Sequence, residues 1–181
     1  MVIDGNVITT TTKTAATGVY GGIRLDSMAG DAAIRGNRVV CRAGNAVTAM
    51  SGMSKCRLTI QQNSITSSVS GTYACIILGA KFVSFSGNEV DAASHAVTVR
   101  GDGAVQTEGF YWDKSNLIHS GQYYPVFKDI GKCYGDQKYT GSPLGLVVPG
   151  EVGTRYTQLD GSGGKVFWLA TGTTAAAWRL M

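Results

Sequence analysis

Short apolar runs alternate along the chain with polar corners, and four of the corners share one pattern. The segments are Val2-Ile3-Asp4-Gly5-Asn6-Val7-Ile8, Ala33-Ile34-Arg35-Gly36-Asn37-Arg38-Val39, Thr59-Ile60-Gln61-Gln62-Asn63-Ser64-Ile65 and Ser84-Phe85-Ser86-Gly87-Asn88-Glu89-Val90. Their asparagines are separated by 31, 26 and 25 residues. A second short strand follows each corner: Gly22-Ile23-Arg24-Leu25, Ala46-Val47-Thr48-Ala49, Cys75-Ile76-Ile77-Leu78 and Ala96-Val97-Thr98-Val99. Alternation such as Val97-Thr98-Val99 turns one face inward and one outward. Each repeat therefore reads as strand, Asn corner, strand, variable loop, strand. The first repeat is longer, with Thr9 to Thr17 as a bulging loop.

One such unit cannot bury its own apolar face. Stacked units bury it by pairing each strand with its copy one coil along. Asn tolerates the left-handed backbone of a sharp corner. Asn37, Asn63 and Asn88 are expected to stack there as a hydrogen-bonded ladder, and a preceding Gly eases the turn. The competing fold is a β-sandwich whose turns happen to contain Asn. Four corners in register favour an all-β, right-handed parallel β-helix of about four coils, closed by a small β-rich C-terminal cap.

Composition agrees and places the boundaries. Gly is abundant, at 25 residues, and only 15% of residues are charged. Thr, Val, Ser and Ala stand where long helices would need Glu, Lys and Leu. Residues 1–105 hold four aromatics, Tyr20, Tyr73, Phe82 and Phe85, and the other twelve lie beyond. The coils are therefore expected over 1–103, an aromatic-rich connector or cap over 104–140, and a separate β module over 141–181, after the breaks at Gly103 and Gly141-Ser142-Pro143.

The net charge of +4 is spread singly, without the clustered basic patch of a nucleic-acid surface. No apolar run is long enough for a transmembrane helix, so no membrane insertion is expected. The N-terminus lacks the pattern of a signal peptide, and Met1 opens directly into a β-type pattern, as in a fragment of something longer. Cys41, Cys56, Cys75 and Cys133 form no CxxC pair and lie far from His95 and His119, so they read as buried thiols, with neither metal nor cofactor expected.

The coils resemble the parallel β-helix of phage tailspikes and polysaccharide-degrading enzymes. The closing segment resembles one that recurs at the ends of phage tail fibres and tailspikes. It carries Pro149, Gly153 and Tyr156, the pair Phe167-Trp168, Ala170-Thr171-Gly172-Thr173 and a final Trp178. The acidic residue of that pattern is displaced here to Asp160. The resemblance spans about 100 residues in the coils and 40 in the tail. It implies a homotrimer on the virion, assembled in the host cytoplasm, whose partner is bacterial surface polysaccharide. The 141–181 module is then the trimerisation element, with Val152, Tyr156, Phe167, Trp168 and Trp178 as interface candidates. The alternatives are a glycan depolymerase with its groove on the coils and a bacterial surface adhesin.

Glycan-cleaving tailspikes commonly use paired carboxylates. Asp4, Asp26, Asp31, Glu89, Asp91 and Asp102 are available, but none forms a signature by spacing, and the catalytic residues remain unknown. Arg24, Arg35, Arg42, Arg57 and Arg100 could hold acidic sugars, yet single arginines on coil exteriors are ordinary. Sugar rings stack on exposed aromatic faces, which makes Tyr111, Trp112, Asp113, Tyr123 and Tyr124 the glycan-binding candidates. The structural alternative is that these aromatics plug the open end of the stack.

Overall fold

The computed structural model describes residues 1–10, 20–50, 52–103, 105–126, 129–139, 142–161 and 164–181. The bulging loop expected from Thr9 to Thr17 falls largely outside them. The described residues form seventeen strands and no α-helix. They are β1 Val2–Asp4, β2 Val7–Thr10, β3 Tyr20–Asp26, β4 Ala29–Arg35, β5 Arg38–Cys41, β6 Asn45–Met50, β7 Lys55–Gln61, β8 Ser64–Ser67 and β9 Tyr73–Leu78. The rest are β10 Phe82–Ser86, β11 Glu89–Arg100, β12 Thr107–Trp112, β13 Leu117–Pro125, β14 Ile130–Tyr139, β15 Arg155–Gly161, β16 Gly164–Ala170 and β17 Trp178–Leu180.

Every pairing from β1 to β14 is parallel, and it joins a strand to its counterpart one coil along. The first face carries β1, β4, β7, β10, β12 and β14 in that order. The second carries β2, β5, β8 and the start of β11. The third carries β3, β6, β9 and the end of β11. The long β13 lies along both parts of β11, through register shifts at the bend. This is a parallel β-helix of about four turns, with β12 and β13 as a further rung. The aromatic segment after Gly103 thus continues the stack in register.

The alternation read from sequence sets the interior. On the first face, Ile3, Ile34, Ile60, Phe85 and Trp112 are register partners in succession. Beside them run Ala32, Leu58, Val83, Phe110 and Cys133. From Ile34 and Ala32 onward, all of these are buried. Rung spacing is about 4.8 Å, so like side chains touch along each column, and each large one contributes roughly 1.5–3 kcal/mol of burial. The first column changes from aliphatic to aromatic at Phe85 and ends on Gly135, the partner of Trp112. A Cβ on Gly135 would lie 2.2 Å from the Trp112 carbonyl oxygen, so only glycine closes the column there.

The cap extends the first face. β15 pairs parallel with β14, then β16 and β17 follow antiparallel. Just before β15, Val148 and Gly150 bond to the backbone of Cys133.

Candidate functional site

The Asn corners are the best-ordered polar feature. Each Asn donates its backbone N–H and its side-chain amide to Oδ1 of the next Asn, at 2.9–3.1 Å, from Asn6 through Asn37, Asn63 and Asn88 to Asn116. The amides of Asn37, Asn63 and Asn88 also donate to carbonyls of their own and the preceding coil. Asn37, Asn63, Asn88 and Asn116 are buried, so the network leaves little polar cost inside the stack. Two points differ from the sequence reading. The left-handed backbone belongs to the residue before each Asn, namely Gly5, Gly36, Gln62 and Gly87 with φ of 54–65°. The Asn itself therefore serves the ladder alone. The second difference is the fifth member, Asn116. Its corner lacks the preceding Gly and closes instead through a bond from its N–H to the Asp113 carbonyl.

The proposed glycan residues divide between the interior and the surface. Trp112 is only 1% exposed, its ring stacked at 5.2 Å on Phe85 and 4.3 Å from the Tyr123 ring. It offers no face to a sugar, and its place as a stacking platform is corrected: it plugs the solenoid. Tyr123 is half-buried and donates its hydroxyl to Gln137 at 3.0 Å. Burial raises its pKa well above the ordinary phenol value. Tyr111 and Asp113 face outward together. The Tyr111 hydroxyl donates to the Asp113 carboxylate at 2.8 Å, which raises the Tyr111 pKa. Hydrogen bonds from Ser115 lower that of Asp113, with a further contribution from Tyr111. The side chain of Tyr124 lies outside the described residues.

The interface candidates divide likewise. Tyr156 is 1% exposed and meets Trp178 edge-on at 5.9 Å, while Trp178 donates from Nε1 to the Val147 carbonyl. With Val147 and Ala170 they extend the core of the solenoid into the cap, so neither lies on an open surface as the sequence suggested. Strand alternation turns them toward the solenoid. Trp168 is half-buried, with Nε1 on Gln158. Val152 and Phe167 are exposed.

Three of the six candidate carboxylates of the coils are engaged with neighbours. Asp4 pairs with Arg35 at 2.9 Å, Asp26 with Arg24, and Asp91 accepts from Ser120. Among the described residues, no three His, Cys, Asp or Glu side chains are grouped for a metal.

Of the outward side of the first face, the sequence singled out Arg57 and Tyr111 but not their companions. There Arg57, Phe82, Gly109 and Lys132 are successive register partners, with Thr59, Ser84, Tyr111 and Tyr134 beside them. The Arg57 guanidinium lies 5.4 Å from the Phe82 ring centre. No protein-family model, curated protein or solved structure matches the chain.

Proposed function

We propose that this chain is the C-terminal part of a phage tailspike-like or tail-fibre-like protein. In this reading it is a homotrimer on the virion that recognises bacterial surface polysaccharide, and its cap joins the three chains. One observation carries the reading. The cap that bears the tail-fibre-like pattern joins the core of the solenoid through Val147, Tyr156, Ala170 and Trp178, yet leaves large apolar side chains in water. Among the described residues, seven of the twelve exposed large hydrophobics follow residue 141: Leu144, Leu146, Val152, Leu159, Phe167, Leu180 and Met181. Such a concentration marks a surface meant for contact. A closed threefold arrangement would cover it without leaving an open end for further growth.

The coils suit recognition by repetition, because a solenoid face repeats similar side chains at the rung spacing along an extended ligand. The test is retention of the full chain on immobilised lipopolysaccharide and capsule preparations. Retention on some preparations and not on others supports recognition. A chain retained by none of a broad panel contradicts it.

A further inference from the structure

The groove outside the first face has a chemistry of its own. Two adjoining hollows, of about 440 and 420 Å³, share Arg57 and Phe82. The second is lined by Lys81, Glu108, Lys132 and Tyr134 as well. Its floor is Gly109, where a Cβ would stand 2.6 Å from the Phe82 ring and 3.5 Å from that of Tyr134. Those two rings lie 5.7 Å apart at 53°, and the Tyr134 ring also rests on Gly150, where a Cβ would be 2.0 Å away. The aromatic pair is thus fixed by two glycines and remains half-exposed.

Cations flank this floor on both sides. Arg57 and Lys132 stand three rungs apart in one row, roughly 14 Å from the strand spacing. Neither they nor Lys81 enters an ion pair with any described residue. Glu108 lines this hollow and Asp31, the register partner of Arg57, lines the adjoining one, so three cations face two anions. Positive charge along a concave apolar wall concentrates field and attracts anions. Arginine binds carboxylates through paired N–H groups, and an aromatic face holds the apolar side of a pyranose.

We infer that this groove binds an acidic polysaccharide, with Phe82 and Tyr134 as the sugar platform and Arg57 and Lys132 holding carboxylates of sugars on either side of it. The inference rests on the polysaccharide reading and adds the location and the charge of the ligand. A nucleic-acid strand fits less well, because the rings are wedged over Gly109 and Gly150 and the cations alternate with Asp31 and Glu108 instead of tracking a phosphate backbone.

The experiment titrates the full chain with a galacturonic acid tetrasaccharide, neutral maltotetraose and a short oligothymidylate, followed by amide chemical shifts. Arg57→Gln and Lys132→Gln are compared with the parent, their folding checked by circular dichroism. Both side chains are exposed, so the fold should persist. The inference predicts shifts at β7, β10, β12 and β14 with the acidic sugar. It also predicts about fivefold weaker binding in each variant and weakening by salt. Equal binding of maltotetraose, or unchanged affinity in both variants, overturns the acidic groove and leaves polysaccharide recognition standing. Tighter binding of the oligothymidylate at the same residues overturns it in favour of nucleic acid. If no saccharide shifts any residue, and the chain is also retained on no surface polysaccharide, both readings fall.

Discussion

Asn63 donates its side-chain amide to Oδ1 of Asn88 at 2.9 Å, and its backbone N–H reaches the same oxygen at 3.0 Å. One buried atom thus ties two coils together twice. Asn63→Ala keeps the backbone link but removes the side-chain one, and it takes away the Oδ1 that accepts from the N–H of Asn37. Its cost is expected at about 1–3 kcal/mol in urea denaturation. Asn6→Ala, at the exposed end of the ladder, should cost about 0.5 kcal/mol or less. Equal effects at the two positions would show that the ladder carries no burial-dependent stability.

The plug predicts the optical behaviour of Trp112. With Trp168 and Trp178 both replaced by Phe, the remaining indole lies between Phe85 and Tyr123. Its emission should be blue-shifted and resist iodide quenching, and saccharide should leave it unchanged. Quenching comparable to free tryptophan would place the ring in solvent.

All four cysteines are free and buried. Burial raises the pKa of Cys75 and pushes that of Cys133 from 9.0 up to about 12. Ellman's reagent should leave the native protein unmodified near about pH 8 and label four thiols after unfolding. The unfolded chain loses these protons near the ordinary thiol value, and the folded one keeps them. Stability is therefore fully present below about pH 9 and declines as pH rises from there toward 12. A melting temperature that stays level or rises across that window would contradict the burial of these thiols.

Gly22 in β3 shows how closely the coils approach. A Cβ there would lie 2.0 Å from the Ala46 carbonyl oxygen, which is backbone and cannot swing away. Gly22→Ala is expected to destabilise by about 1–3 kcal/mol, by thermal or urea unfolding. A neutral effect would mean that β3 and β6 are farther apart than described.

Much of the fold was legible because its period is written in side chains. The Asn spacings gave the coils, but the alternation read at Val97-Thr98-Val99 does not turn Thr98 outward, since it is buried with both neighbours. Asn116 escaped because its corner closes through Asp113, without the left-handed residue that precedes the other ladder asparagines. Trp112 and Tyr156 were misplaced for a different reason. An aromatic residue reads alike whether it is a plug, a cap core or a platform, and only register decides which side of the sheet it faces. Arg57, Phe82 and Lys132 lie on different coils, so nothing local in the sequence joins them. Parallel stacking alone brings them into one row.

The central claim is that the cap holds three chains together. Sedimentation of the full chain, beside a chain ending at Thr140, tests it most directly. Removing β15, β16 and β17 also removes Val152, Phe167 and Leu180 from the surface and leaves β14 as an open edge. The buried residues of the cap already belong to the core of their own chain, so the contact between three chains falls to its exposed apolar residues. The account predicts a trimer for the full chain and a monomer or aggregate for the shortened one. A full chain that sediments as a monomer at micromolar concentration would contradict it, and a shortened chain that stays trimeric would move the contact into the coils.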